Sequence, residues 1–246
     1  MLNKARKRVL ISVLAFAMLL LAACADVEDE AQIYSGAAGD DITWTFDAST
    51  GVFTLTGTGE MWGWAWWWYD RERVPWHNQM ESITSVVISD GITRIGGAAF
   101  RSARNLTSVD IPSSVTYIGR DAFFRATSLT TVYMPGAIYI GAWAFWDAAR
   151  LTSIDMPSVT YIGDSAFGFA SSLTSIDIPA SVTYIGRGVF AVATSLASAT
   201  IRSRDAIFNW YVFDRTHPDF TIHGFAGSTA EEYAIANGHN FVPLDN

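Results

Sequence analysis

The 246-residue chain is half hydrophobic, 14% aromatic and carries a formal charge of −8 at pH 7. That composition supplies ample material for a packed core, and the acidity excludes nucleic acid as a partner, which demands clustered Lys and Arg. No HExxH, paired-cysteine, phosphate-loop or nucleophile-elbow pattern occurs, so an enzyme or a cofactor site has no motif to rest on.

Lys4, Arg6, Lys7 and Arg8 precede an apolar run from Val9 to Ala23, broken only by Ser12. The run is shorter than the ~20 residues a membrane-spanning helix needs, so residues 1–23 read as a cleavable signal peptide. Leu21-Ala22-Ala23-Cys24 resembles the bacterial lipobox, which implies cleavage before Cys24 and a lipid on that residue, the only cysteine in the chain. Without residues 1–23 the formal charge is −12, so lipid at Cys24 rather than charge is expected to hold the protein to a membrane. The remaining cations are all Arg, a bias the sequence leaves unexplained. Residues 24–41 carry Asp26, Glu28, Asp29, Glu30, Asp40 and Asp41 with no base, plus Gly36-Ala-Ala-Gly39, and read as a disordered acidic tether.

Residues 42–82 read as a cap. Ile42 to Phe46 and Phe53 to Thr56 alternate around a turn at Asp47 to Gly51, which predicts a β-hairpin. The Trp-rich stretch that follows contains Trp66, Trp67 and Trp68, which either seal the end of the fold or form a platform for a sugar or a partner protein. Three consecutive side chains cannot share one face of a strand, so at least one points away from the core.

Residues 83–201 repeat one pattern. Phenylalanine recurs at 100, 123, 145, 167 and 190, glycine at 96, 119, 141, 163 and 186, and leucine at 106, 129, 151, 173 and 196, in steps of 22 or 23. Ile83 opens a weaker first copy, giving six. Such a period means a solenoid, because no single copy buries its own apolar side. The phenylalanines are predicted to stack inside, and the glycines to occupy sharp turns at positive φ. Pro112, Pro135, Pro157 and Pro179 are predicted to close the strands.

The pattern LxxVxIPxSVTxIGxxAF, as it stands from Leu106 to Phe123 and in its sister copies, resembles the BspA-type leucine-rich repeat, a bacterial class found mostly on cell-surface proteins. The fold expected is a β-rich solenoid of six coils with an N-terminal β-hairpin cap and a C-terminal strand-helix-strand cap. Where the family often has Cys three residues after each Phe, this chain has Ala103, Ala126, Ala148, Ala170 and Ala193, so no thiol chemistry is implied there. The resemblance also implies attachment to host matrix or to other cells.

Candidate ligand-binding residues fall in repeat columns. The outward strand position holds Val87, Asp110, Tyr133, Asp155, Asp177 and Thr200. It is either a solvated face or an acidic stripe for a basic partner, with Asp155 and Asp177 expected as neighbouring rungs. A second column holds Arg94, Tyr117, Tyr139, Tyr161 and Tyr184, which either buttress the ladder or offer an aromatic strip for recognition. Trp143 and Trp146 occupy positions that differ between copies.

Residues 202–246 read as the C-terminal cap, with a strand at Phe220 to Ile222 and a helix opened by the capping box Ser228-Thr-Ala-Glu231 and stopped at Gly238. Residues 202–219 have no evident place. His217 and Asp219 with His223 are too ordinary a grouping to make a metal site. The reading is an exported, membrane-anchored lipoprotein on the bacterial cell surface that binds a protein ligand. A carbohydrate-binding module using the Trp and Tyr strips is the alternative.

Overall fold

The computed structural model describes residues 32–64 and 74–245. The readings of the signal peptide, Cys24 and Trp66–Trp68 lie outside the described residues. The described residues open on three antiparallel strands, β1 (Ile33–Ala37), β2 (Ile42–Asp47) and β3 (Val52–Gly57). The tether reading therefore fails from Ile33 onward, and Gly36-Ala-Ala-Gly39 is no linker. A Cβ on Gly36 would lie 2.8 Å from the Trp44 indole nitrogen, and one on Gly39 would lie 2.6 Å from the Glu60 carbonyl oxygen. Those glycines are there for close packing.

From here the chain winds in coils. Side one stacks β5 (Ser85–Ile88), β7 (Ser108–Asp110), β9 (Thr131–Tyr133), β11 (Ser153–Asp155), β13 (Ser175–Ile178), β15 (Ser198–Ile201) and β17 (Thr221–Gly224). Side two is one parallel sheet of β4 (Gly59–Glu60), β6 (Ile92–Ile95), β8 (Tyr117–Ile118), β10 (Tyr139–Ile140), β12 (Tyr161–Ile162), β14 (Tyr184–Ile185) and β16 (Ile207–Phe208). The molecule is thus a β-solenoid of about seven turns rather than six. The extra turn comes from residues 202–224: Ile207 and Phe208 pair in register with Tyr184 and Ile185, and Phe213 stacks on Phe190 at 5.5 Å. Its Gly-column residue is Asn209 and its Leu-column residue is Asp219, which hid the copy in the sequence.

Side three contains no regular strand, yet it is laddered. Within each coil alternate N–H groups turn back to form local turns, and the others donate to the next coil, as Phe100 does to Ala122, Phe123 to Ala144 and Phe145 to Ala166, each at 2.7–2.8 Å. Every rung points the same way, so the two ends need opposite caps. At the start the Trp76 indole N–H donates to the Ala99 carbonyl at 2.9 Å, taking the place of a preceding coil. At the far end the Tyr233 ring closes the core, lying 4.9 Å from the Phe208 ring and 6.1 Å from that of Phe213. The cap helix α1 (Thr229–Asn237) brings Tyr233 there and ends at Gly238, at φ 72°. Its predicted capping box is not formed: Ser228 Oγ makes no cap bond, and Glu231 accepts instead from the Gly227 N–H at 2.7 Å. The last strand, β18 (Asn240–Pro243), pairs parallel with β17.

The core is the predicted phenylalanine column. Phe100, Phe123, Phe145, Phe167, Phe190 and Phe213 are buried, and successive rings lie 5.1–5.6 Å apart and within 13° of parallel. The glycine column is needed for a reason other than the predicted one. Positive φ falls two residues later, at Ala98, Asp121, Trp143, Ser165, Gly188 and Tyr211, and again four residues beyond, at Ser102, Arg125, Asp147, Phe169, Val192 and Arg215. What the glycines permit is close stacking of backbone on backbone. A Cβ on Gly119, Gly141, Gly163 or Gly186 would lie 2.5–2.6 Å from a backbone nitrogen of the preceding coil.

Candidate functional site

Side two sets the tyrosine column. Ile118, Ile140, Ile162 and Ile185 point into the core, so by strand alternation Tyr117, Tyr139, Tyr161 and Tyr184 point out and are half-buried. In-register parallel pairing then stacks the rings at 4.5, 4.6 and 4.7 Å, within 7° of parallel. The Arg94 guanidinium lies 4.3 Å above the first ring and pairs with Glu60 at 3.5 Å. Asn209 Nδ2 donates to the Tyr184 hydroxyl at 3.0 Å at the other end. Both faces of Tyr139 and Tyr161 are occupied by neighbouring rings, so edges and hydroxyls are what they present to solvent.

The same packing pushes the Tyr139 phenol up to about 12, first by burial and then by the neighbouring Tyr117 and Tyr161. Burial and Tyr184 raise Tyr161 as well. A phenol whose folded value lies above its unfolded value of 10.0 stabilises the fold fully below pH 10, and that contribution is lost as pH rises through about 12. Denaturant unfolding followed from pH 9 to 12 should therefore show stability falling between pH 10 and 12, with part of the tyrosinate absorbance at 295 nm appearing only as the ladder opens.

Side one places Asp110, Tyr133, Asp155 and Asp177 outward as expected, and Tyr133 is 57% exposed. The outward column stacks coil on coil, but it is not one continuous hydrogen-bonded ladder. β11 pairs with β9, setting Asp155 beside Tyr133, whereas β13 pairs with β15, setting Asp177 beside Thr200. Asp155 and Asp177 belong to separate hydrogen-bonded ladders. Arg202 forks onto Asp177, with Nε at 2.9 and 3.0 Å and Nη2 at 2.7 Å, so that carboxylate is neutralised. Asp110, Tyr133 and Asp155 are left as the outward group.

These coils match a model of the BspA type leucine rich repeat region over residues 77–197, in six copies. The chain is a BspA-type leucine-rich repeat protein. The BspA-type solenoid is similar to a solved leucine-rich repeat protein from Bacteroides ovatus ATCC 8483, at 23% identity and a TM-score of 0.57 over 66% of this chain and 43% of that one. It is also similar to a leucine rich cell surface protein from Faecalibacterium prausnitzii A2-165, at 24% identity and a TM-score of 0.52 over 80% of this chain and 50% of that one. The chain thus spans half or less of the length of these structures. No curated protein matches it.

Side three of the BspA-type coils holds Trp143 and Trp146, both half-buried. Trp146 is packed between Phe124, at 4.7 Å and 9°, and Phe169, at 4.9 Å. The Arg120 guanidinium covers Trp143 at 4.1 Å, and Arg101 covers Phe124 at 3.9 Å. Here the use of arginine alone after residue 23 finds a reason. Six of the ten described arginines, Arg94, Arg101, Arg120, Arg125, Arg187 and Arg204, lie over an aromatic ring. A planar guanidinium stacks on such a ring while still pairing with a carboxylate, which the compact ammonium of lysine does less well.

Asp121, buried beside Arg101 at 3.0 Å, has its carboxyl raised by burial against the pull of Arg101 and Arg120. Among the described residues no cluster of His, Cys, Asp and Glu could hold a metal ion, His217 and His223 included. Sequence reading missed the most exposed apolar group near the solenoid's end, Ile207, Trp210 and Tyr211, because the last copy was not recognised as a coil.

Proposed function

We propose that this is a cell-surface binding protein, held to the membrane by lipid at Cys24, that recognises a protein ligand through the outer sides of its solenoid. The observation that carries the reading is how the aromatic rings are used. A sugar stacks on an open ring face, but the faces in the Tyr117–Tyr184 ladder and the Phe124–Trp146–Phe169 stack are largely taken up by one another and by arginine. What remains is a row of phenol edges on one side and exposed Tyr133 between carboxylates on another. That combination suits the peptide groups and basic side chains of a protein surface better than a pyranose ring. The likeness to a protein described as a cell surface protein supports the location.

The test is binding of the full-length protein to arrays of matrix proteins and of glycans, repeated with the triple variant Asp110→Asn, Tyr133→Ala, Asp155→Asn. A matrix protein bound by the wild type and bound at least tenfold more weakly by a variant that melts normally supports the reading. Glycan hits alone, or matrix binding indifferent to the substitutions, would overturn it. Labelled palmitate entering the wild type but not Cys24→Ser checks the anchor.

A further inference from the structure

Four arginines of the solenoid share one arrangement: each lies over an aromatic ring and pairs at the same time with a carboxylate. Arg94 lies 4.3 Å from the Tyr117 ring centre and 3.5 Å from Glu60. Arg101 lies 3.9 Å from Phe124 and 3.0 Å from Asp121, and Arg120 lies 4.1 Å from Trp143 and 3.7 Å from Asp121. Arg125 does the same more loosely, 5.6 Å from Trp146 and 3.6 Å from Asp147. In all four the ring belongs to the next coil, so the arginine stands one coil before it.

Side one holds the rest of this arrangement without the cation. Tyr133 is 57% exposed, and neither a ring nor a guanidinium lies over it among the described residues. One coil before it, where an arginine would stand, is Asp110; one coil after it is Asp155, in register with Tyr133. Both carboxylates are exposed and, unlike Asp177 with Arg202, neither has an ion-pair partner among the described residues. Neighbouring coils stand about 5 Å apart, so the two carboxylates flank Tyr133 along the solenoid axis. A ring and two negative charges with no cation of their own are complementary to a positive group brought from outside.

We propose that this group takes an arginine side chain of the protein ligand, its guanidinium lying on the Tyr133 ring and pairing edge-on with Asp155 or Asp110. The inference rests on side one being the face that meets that ligand, and it names the residue that is met. Arginine rather than lysine follows from the four internal cases. A planar guanidinium gives its face to the ring and keeps its N–H edge for a carboxylate, whereas an ammonium is a compact, strongly hydrated charge that does not divide itself in this way. An arginine meeting an exposed tyrosine is also the pairing that carries binding energy in protein interfaces.

The probe is N-acetyl-arginine amide, titrated into the full-length protein while the ring protons of isotope-labelled tyrosine are followed by NMR. The Tyr133 signals are assigned by their loss in Tyr133→Phe, and they should shift saturably. N-acetyl-lysine amide should bind at least tenfold more weakly, and N-acetyl-citrulline amide, planar but uncharged, should leave the signals in place. In the double variant Asp110→Asn, Asp155→Asn, whose melting should be unchanged, the arginine probe should bind at least tenfold more weakly. No saturable shift, equal binding by the lysine probe, or unchanged binding by the double variant overturns the proposal. If the arginine probe fails while a matrix protein still depends on the triple variant above, the arginine is wrong and side one remains the binding face. If the probe succeeds where no matrix protein binds, arginine recognition stands and the matrix ligand falls.

Discussion

Phe145→Ala is expected to cost about 3–5 kcal/mol, the usual loss when a buried phenylalanine is truncated in a core that cannot collapse. Phe145 is fully buried, with rings 5.1 and 5.3 Å away on its two sides. A solenoid coil gains most of its burial from its two neighbours, so a hole in the middle of the column weakens both interfaces at once. Phe169→Ala removes a ring of the same size that is 41% exposed at the edge of its stack, and it should cost less than about 1 kcal/mol. Urea unfolding of the two variants separates them. Equal losses would mean that Phe145 is not on a packed axis.

Gly141→Ala comes next in size, although it adds a single methyl. The new carbon would meet the Arg120 nitrogen at 2.6 Å and the Gly119 carbonyl carbon at 2.8 Å, both main-chain atoms that no rotamer change can move. The coils would have to part, at a cost of about 1–3 kcal/mol or more. Gly188→Ala is the control. Its φ of 60° looks the more demanding, but the nearest atoms to an added Cβ begin only at 3.5 Å, and other coils carry Ala98, Asp121, Trp143, Ser165 or Tyr211 at that place. Gly188→Ala should fall within about 1 kcal/mol of the wild type. If thermal melting ranks the two glycines the other way, the close-stacking account of the glycine column is wrong.

The period of the repeat made the core and the two outward columns legible in sequence, because a column that recurs every 22 or 23 residues can persist only if its members meet the same neighbours in every coil. Phe145 and its sisters and the Tyr117 column both followed from that. Features that depend on backbone rather than side chain did not. The left-handed positions carry Ala, Asp, Trp, Ser, Arg and Val, with no glycine signature to mark most of them. Their conformation is held by ladder bonds to the next coil, such as Asp121 to Ala142 at 3.0 Å, and tertiary pairing of this kind leaves little local trace. β1 was masked by glycines whose task is to make room for Trp44 and for the backbone at Glu60. At the candidate sites, the columns fixed which residues face outward, but not which carboxylate Arg202 would take or which ring faces would stay open. Those depend on where one hydrogen-bonded ladder stops and another begins.

Distances between spin labels test most directly whether the coils pile up along one axis. With Cys24→Ser as background, one label at Thr107 is paired in turn with a second at Thr152, Thr174 or Ala197, exposed positions two, three and four coils further on. Stacking at the spacing of β-strands predicts Cα separations of about 10, 14 and 19 Å, rising by about 5 Å per coil. Separations that fail to rise in that order, or that scatter across the three pairs, would contradict the stacked solenoid and the outward faces that depend on it.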